Sequence, residues 1–300
     1  MNCTLCPRNC GVDRSVKCGF CGVGEKILVS RVMLHRWEEP CISGRLGSGA
    51  VFFCGCPLKC VFCQNGEISR GTGGTFAGQR EFTAVELADV FLHLQNAGAH
   101  NINLVSPTQY TDDIMFAVAD ARNRGLTLPV VWNTGGYEKV RTIAKLRGTV
   151  DVFLTDMKYF SPDLSRELSR AEDYFTTAMS ALREMVRLCP TPVYGEDGTL
   201  RRGVIVRHLI LPGQRADSCN LLRAMAEEGL QHHVLLSLMS QYTPDFFTGC
   251  NDPLLDKKMR RRVTTFEYNS VRDTALELGF DGFGQDTSSA NAEYTPSWGF

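Results

Sequence analysis

Short apolar runs alternate along most of the chain with longer segments that have the spacing of amphipathic helices. A short unbroken apolar run is typical of a strand buried on both faces, whereas apolar residues three and four apart share one helix face. Strands separated by helices of this length form right-handed parallel crossovers. The predicted strands are Ala50–Phe53, Asn101–Val105, Pro129–Trp132, Val150–Thr155, Val204–Leu211 and Val234–Leu238.

About six such units are too few for a closed eight-stranded barrel, so the pattern predicts an α/β fold of one of two kinds. The first is an open, partial barrel, and the second is a doubly wound sheet. In both, ligands bind at the carboxyl-terminal ends of the strands. One predicted helix has its apolar face on Leu164, Leu168, Phe175, Ala178, Leu182 and Met185.

The composition divides the chain into two predicted parts. Residues 1–49 are predicted to be a Cys-rich metal-binding appendage that ends in the Gly/Ser-rich linker Ser43–Gly49. Residues 50–300 are predicted to form the parallel α/β domain, with Gln285–Phe300 as a C-terminal cover over its open side.

Charge and cysteine content narrow the class of protein. The net charge is −1, from 32 basic and 33 acidic residues, so there is no electrostatic case for nucleic acid or an anionic membrane as a partner. No apolar run approaches the ~20 residues needed to span a bilayer, and we expect a soluble, cytoplasmic protein. Ten of the 13 cysteines lie within the first 63 residues. In a reducing compartment, such spacings indicate metal ligation rather than disulfides.

Three cysteines follow the first predicted strand directly, in the sequence Cys56-Pro-Leu-Lys-Cys60-Val-Phe-Cys63. Three thiolates within eight residues can bind three corners of a cubane 4Fe–4S cluster and leave its fourth iron open. An open iron suits a cluster that binds substrate. Zinc is the alternative, but structural zinc sites favour paired Cys-x-x-Cys spacings and four ligands.

This loop resembles the signature of the radical S-adenosylmethionine (SAM) superfamily, in which an aromatic residue such as Phe62 precedes the last cysteine. The resemblance extends over the whole chain. It is strongest to the pyruvate formate-lyase activating enzymes, and within that branch to uncharacterised activase-like proteins. It implies an open partial (β/α)6 barrel, catalytic roles for Cys56, Cys60 and Cys63, and reductive cleavage of SAM to a 5′-deoxyadenosyl radical that abstracts hydrogen from substrate. It also implies a protein substrate, with a glycyl radical enzyme as the suggested partner, and an electron donor such as flavodoxin or ferredoxin.

The resemblance also assigns residues to the cofactor. A Gly-Gly-Glu-Pro-like turn of the family, whose backbone accepts the cofactor's amino group, corresponds to Ser106-Pro107-Thr108, where only the proline matches. An Asp-Thr-Asn-Gly segment resembles Asn133-Thr134-Gly135-Gly136, with an amide in place of the cation-binding aspartate. The glycines there are expected to let the backbone approach the ribose.

Two further matches lie on later strands. Asp156-Met157-Lys158 resembles the Asp-Leu-Lys of the activating enzymes, and residues two apart on a strand point to the same side. Arg207 matches an arginine near the cofactor carboxylate. The residues predicted to bind the cofactor are Phe62, Ser106, Pro107, Thr108, Asn133, Thr134, Asp156, Lys158 and Arg207.

Five thiols crowd the N-terminus, with the spacing Cys3-x2-Cys6-x3-Cys10 followed by Cys18-x2-Cys21. Four thiolates bind one zinc ion or ligate a second cluster. Resemblance to related activase-like proteins selects Cys3, Cys6, Cys10 and Cys21. Because this segment has little apolar content, metal binding would also supply its folding energy.

Two other functions fit the same residues. In one, the radical chemistry acts on a small molecule or cofactor precursor. In the other, the protein is a non-catalytic iron–sulfur or zinc protein. Metal content and the formation of 5′-deoxyadenosine distinguish these alternatives.

Overall fold

A computed structural model describes residues 2–71 and 74–284, and one twisted sheet runs through this part of the chain. The predicted C-terminal cover, Gln285–Phe300, lies outside the described residues. The strands are β1 (Ile27–His35), β2 (Ser48–Phe53), β3 (Arg80–Phe82), β4 (Ile102–Val105), β5 (Val130–Thr134), β6 (Val152–Asp156), β7 (Val193–Tyr194), β8 (Leu200–Leu209), β9 (Leu235–Met239) and β10 (Gly282–Gly284). The helices are α1 (Pro40–Ser43), α2 (Gly66–Ser69), α3 (Ala84–Asn96), α4 (Thr111–Asn123), α5 (Val140–Lys145), α6 (Pro162–Ser169), α7 (Tyr174–Leu188), α8 (Arg215–Glu227), α9 (Pro253–Met259) and α10 (Thr265–Glu277).

The order of strands identifies the fold as a partial barrel. Across the sheet the order is β10-β9-β8-β6-β5-β4-β2-β1-β3, and the pairs along this path from β10 to β2 are parallel. The short strand β7 lies off the path and pairs antiparallel with β8. A doubly wound sheet reverses its order near the middle, and this sheet does not. In the described residues the sheet ends at β3 and β10, so the barrel is open, as predicted.

The six predicted strands are confirmed within a few residues, and the sheet also extends beyond them. Strand β1 pairs antiparallel with β2, so the sheet begins before the predicted boundary at residue 50. The predicted linker contains the end of α1 and the start of β2. The single helix predicted from Leu164 to Met185 is wrong, because Arg170 adopts a left-handed conformation (φ 53°) and separates α6 from α7.

The short helix α1 closes the amino-terminal end of the barrel. Cys41 and Ile42 on α1 are buried against inward-facing strand residues such as Val131, Leu154 and Ile205. The opposite face of the sheet, which includes Trp132 and Phe153, packs against the surrounding helices in the main core. Since α1 fills one end, the space that remains inside the barrel lies toward the carboxyl ends of the strands.

Asn101, just before β4, holds α1 in place. Its side-chain amide donates to the Ile42 carbonyl at 2.8 Å, and its oxygen accepts from the Ser48 hydroxyl at 2.6 Å. Both bonds are buried, so neither partner has water as a substitute.

We therefore expect Asn101→Ala to lower the free energy of unfolding by about 2–3 kcal/mol, because it leaves a buried carbonyl and a buried hydroxyl unpaired. Urea unfolding measures this change. Asn96→Ala, at the exposed end of α3, is the matched control and should stay within about 0.5 kcal/mol of wild type. An equal effect of the two substitutions would show that Asn101 does not anchor α1.

Candidate active site

The three-cysteine loop begins directly after β2 and is fixed at its start by the N-terminal segment. Cys56 donates its backbone N–H to the Cys21 carbonyl at 3.3 Å. Gly55 precedes it with a φ of 84°, and a Cβ atom on Gly55 would lie 2.8 Å from that same carbonyl oxygen. Glycine is therefore required at position 55 both by the backbone conformation and by the close contact.

The three sulfur atoms lie in an environment suited to thiolate ligands. Cys60 is buried, and Cys56 and Cys63 are half-buried. The Ser169 hydroxyl donates to Cys60 Sγ at 3.0 Å, and the Leu58 N–H donates to Cys56 Sγ at 3.4 Å. Hydrogen bonds to cluster sulfurs are one means by which proteins tune iron–sulfur centres. Burial raises the pKa of Cys56 to about 12, so a metal must displace its proton to bind.

Among the described residues, no three His, Cys, Asp or Glu side chains converge closely enough to hold a single metal ion. Thiolates of a cubane cluster bind different iron atoms, so they need not converge on one point. Three thiols on one loop, with hydrogen-bond donors already directed at two of them, fit the ligand set of such a cluster.

The four N-terminal cysteines that were predicted to act together line one small apolar pocket. Its walls include Cys3, Cys6, Cys10 and Cys21, together with Pro57 of the three-cysteine loop. A Cβ atom on Gly19 would lie 3.1 Å from Cys10 Sγ and 3.6 Å from Cys21 Sγ, so these two sulfurs approach the same point. Cys18 is exposed and does not line the pocket. We call this group the four-cysteine pocket.

Arg8 ties the four-cysteine pocket to the three-cysteine loop. Its guanidinium donates to the carbonyls of Pro57 at 2.7 Å and Ser169 at 2.8 Å, and also to that of Arg170. The same guanidinium stacks over the Phe20 ring at 3.9 Å. One side chain therefore links the N-terminal segment, the loop and the end of α6.

Inside the barrel, Arg207 of β8 lies at the centre of a polar network. Its guanidinium donates to Asp156 Oδ1 at 3.0 Å, to Asn133 Oδ1 at 2.5 Å and to Glu38 Oε2 at 3.3 Å. The side-chain exposure of Arg207 is only 17%. Three of the residues predicted to bind the cofactor, Asn133, Asp156 and Arg207, are thus brought into direct contact.

Lys158 connects this network to the three-cysteine loop. Its ammonium pairs with Asp156 Oδ2 at 2.5 Å. A Cβ atom on Gly135 would lie 2.9 Å from Leu58 of the loop and 3.7 Å from Lys158 Cε, so the lysine side chain lies beside the loop. Burial also disfavours ionised Asp156, but Lys158 and Arg207 together outweigh it and hold the pKa of Asp156 below its ordinary value.

The turn after β4 has an unusual backbone. Ser106 has a φ of 57°, a conformation that non-glycine residues adopt at a cost of about 1–3 kcal/mol and that recurs at functional sites. Its carbonyl, the group expected to accept the cofactor's amino group, already accepts from Gln109 Nε2 at 2.7 Å. One lone pair of that oxygen is left for another donor. Pro107 follows as the residue before a short 3₁₀ turn.

Thr108 and Thr134 are joined by a buried acid that the sequence did not reveal. Both hydroxyls donate to Glu138 Oε1 at 2.6 Å, and all three residues are buried. The protons of the two threonine hydroxyls are therefore engaged within the protein, which leaves the hydroxyl oxygens as acceptors, and the backbone, for the predicted contact with the cofactor.

Packing within the protein accounts for two other features that were predicted to serve the cofactor. Phe62 is buried, with ring centroids 6.4 Å from Tyr159 and 6.1 Å from Tyr242, so its ring packs behind the loop. Gly136 has a φ of 80°, and a Cβ atom there would lie 2.2 Å from the Asp156 carbonyl oxygen. The close approach of β5 to β6 therefore requires glycine at this position, independently of any contact with a ribose.

Sequence reasoning missed Glu38 and Glu39, which enter the barrel from the segment between β1 and α1. This segment was predicted to belong to the appendage, and nothing in a Trp-Glu-Glu-Pro sequence distinguishes an inward acid from a solvated one. The only local signal is the proline at the first position of α1, which marks a helix start.

The open barrel and the three-cysteine loop are typical of enzymes that use radical chemistry, and the comparison with known families agrees with this assignment. The model of the radical SAM superfamily matches residues 50–214, more than half of the chain. The chain therefore belongs to the radical SAM superfamily, whose members bind a 4Fe–4S cluster and SAM.

Three relatives show the extent of the likeness. An uncharacterized protein of Methanocaldococcus jannaschii is 29% identical over 249 residues, which cover 82% of this chain and 67% of that protein. The crystal structure of a radical SAM methyltransferase from Sphaerobacter thermophilus has a TM-score of 0.51 at 17% identity, over 79% of this chain and just under two thirds, 66%, of that chain. Methylornithine synthase has a TM-score of 0.41 at 14% identity, over 76% of this chain and 68% of that chain.

The likeness to the methyltransferase supports the fold. Neither the Methanocaldococcus protein nor the methyltransferase is named as an activating enzyme, so the resemblance to the pyruvate formate-lyase activating enzymes stays a prediction. No helix in the described part of the chain has the length and apolar character of a membrane span.

The network around Arg207 makes Asp156 the carboxylate shared by two buried cations. Asp156→Asn removes that charge, so we expect the free energy of unfolding to fall by about 3–5 kcal/mol. Asp273→Asn, whose partner Arg272 lies 2.8 Å away on the surface of α10, is the control and should change by less than about 0.5 kcal/mol. Urea unfolding at pH 7 compares the two, and equal losses would contradict a central role for Asp156.

Proposed function

We propose that this protein is a radical SAM enzyme whose cluster is held by Cys56, Cys60 and Cys63. The observation that carries the proposal is the position of these thiols. They follow the first parallel strand at the carboxyl-terminal end of an open barrel, next to Lys158 and the Arg207 network. When bound, the reduced cluster and SAM supply a 5′-deoxyadenosyl radical that abstracts hydrogen from a substrate.

The chain's own residues would bind and orient the cofactor. Lys158 offers a cation beside the loop for the cofactor's carboxylate, and the Ser106 carbonyl offers an acceptor for its amino group. Asn133, Asp156 and Arg207 hold each other in fixed positions, which keeps the polar wall of the site organised before the cofactor binds.

We further propose that the four-cysteine pocket holds a second metal centre. This is either a second cluster, whose thiolates bind different iron atoms, or a zinc ion on which the sulfur atoms must draw together when it binds. The support is that Cys3, Cys6, Cys10 and Cys21 line one apolar pocket although they are spread over nineteen residues. Such a centre would tie together a segment that has few apolar side chains of its own.

For the substrate, the prediction from resemblance is a protein, with a glycyl radical enzyme as partner and flavodoxin or ferredoxin as electron donor. A small-molecule substrate is the second candidate. A specific observation favours it, because a pocket of about 440 Å³ opens into the barrel beside Arg207. That volume lies in the range of sites for small ligands.

The proposal is tested with Cys60→Ser. We expect anaerobically reconstituted wild-type protein to form 5′-deoxyadenosine from SAM after reduction, and the variant to form it at least about a hundredfold more slowly, because it lacks a cluster ligand. Cys250→Ser, outside both cysteine groups, is the control and should retain activity.

Iron and zinc analysis of the same samples separates the alternatives. About four iron atoms per chain that are lost in Cys60→Ser support the cluster, and any further iron or zinc reports on the four-cysteine pocket. Bound zinc without iron, or a reducible cluster that yields no 5′-deoxyadenosine, would favour a non-catalytic metalloprotein instead.

A further inference from the structure

The pocket beside Arg207 lies at the open side of the barrel, between the segment that precedes α1 and the last strands of the sheet. Trp37, Glu39 and Arg207 form its polar and aromatic walls, and Met239 and Phe283 add apolar surface. Gln241 also lines the pocket, and its carbonyl accepts from the side chain of Gln64 at 3.3 Å. One wall residue of the pocket is therefore bonded to the residue that follows Cys63.

The charges along this wall do not balance. Arg207 pairs with Asp156 and Glu38, and Lys158 pairs with Asp156. Glu39, the third carboxylate on this side, has no ion pair of its own within the described residues. Three carboxylates on this side therefore face two cations, and Glu39 is the one that forms no salt bridge in the described part of the chain, although the charge of Arg207 still acts on it.

Glu39 is also short of a hydrogen bond. Glu39 is nine-tenths buried, and its carboxylate accepts a hydrogen bond from Ser237. Its Oε2 atom, however, is out of contact with solvent and has no hydrogen-bond partner among the residues that the structure describes. It does not cap α1, although it occupies the N-cap position of that helix. An unpaired buried carboxylate oxygen costs free energy, and protein structures seldom leave one in place unless a ligand completes it.

We propose that this pocket is the substrate site and that Glu39 binds a positively charged group of the substrate, a protonated amine or a guanidinium. The proposal rests on the radical SAM function proposed above and names the class of substrate. Trp37, whose side chain is 64% exposed at the mouth, offers an aromatic face to a cation as it enters. Met239 and Phe283 would contact the aliphatic part that carries the charge.

The cofactor is the main competitor for Glu39, because SAM also carries an amino group. The two possibilities are separated by asking whether a cationic probe binds while SAM is already bound. We chose N-acetyl-lysinamide and N-acetyl-argininamide as probes, since each carries its charge only on the side chain. N-acetyl-norleucinamide is the neutral control of similar shape.

Binding is measured by isothermal titration with the iron-reconstituted, unreduced protein saturated with SAM, so that no reaction takes place. We expect at least one cationic probe to bind tenfold or more tightly than the norleucine compound. Glu39→Gln should abolish that tenfold preference, whereas Glu277→Gln, at the exposed end of α10, should retain it. Binding of neither cation, an unchanged preference in Glu39→Gln, or binding that SAM competes away would overturn the proposal.

Stability gives a second readout that a purely structural acid would not produce. Burial raises the pKa of Glu39, with Arg207 opposing and Glu38 reinforcing the effect. The folded state of the ligand-free protein is then penalised as the pH rises above the ordinary pKa of a glutamate. Glu39→Gln, which does not titrate, should therefore raise Tm by about 2 °C or more at pH 8 and by less at pH 5.

A lower Tm in Glu39→Gln at pH 8 would mean that Glu39 stabilises the fold, and would overturn the proposal. The 5′-deoxyadenosine assay on wild-type protein is independent of both readouts. If wild-type protein forms no 5′-deoxyadenosine, the proposed radical function is wrong even if the pocket binds cations. If it forms 5′-deoxyadenosine, the binding data alone decide whether Glu39 binds a cationic substrate.

Discussion

The guanidinium of Arg207 joins parts of the molecule that are far apart in the sequence. It contacts Asn133 on β5, Asp156 on β6 and Glu38 on the segment before α1. A buried arginine is tolerated only when its donors are paired, so each of these partners must be in place for the interior to be stable. This one side chain therefore fixes the carboxyl-terminal ends of three strands. It also fixes the acidic segment that faces them.

A second set of contacts fixes the three-cysteine loop from outside the barrel. Cys21 accepts from Cys56, Arg8 holds the carbonyl of Pro57, and Ser169 at the end of α6 donates to Cys60. The loop is therefore held on one side by the N-terminal segment and on the other by a helix of the barrel. Such support from several elements is what keeps reacting groups in a defined geometry.

Much of this architecture could be predicted from the sequence, because its signals are local. The six parallel strands are short apolar runs, and the three cysteines of the loop lie within eight residues of each other. Strand β1 was missed because Ile27–His35, although largely apolar, lies within residues 1–49, which were assigned as a whole to a Cys-rich appendage. Strands β3 and β10 have three residues each, too few for a pattern to develop. The break between α6 and α7 depends on one left-handed residue, Arg170, which composition does not mark.

The site was predicted less completely than the fold, since burial and pairing are tertiary properties. Asn133, Asp156 and Arg207 were each predicted to bind the cofactor. The structure shows that Arg207 contacts the other two and also Glu38, which was not predicted. Thr108 and Thr134 were predicted to bind the cofactor, and the structure adds that both hydroxyls donate to Glu138, which was not predicted. In both cases a carboxylate from elsewhere in the chain decides what the predicted residue contacts, and only the folded structure shows which carboxylate that is.

The hydrogen bond from Cys56 to the Cys21 carbonyl has a consequence for how such enzymes can be recombined. The loop after β2 is shaped around residues of the N-terminal segment, with Gly55 pressed against the Cys21 carbonyl and Arg8 fastened to Pro57. A chimaera that joined this barrel to the first 24 residues of another protein would put these contacts at risk. The N-terminal segment and the loop are therefore best transferred together, although 33 residues lie between Cys21 and Gly55 in the chain.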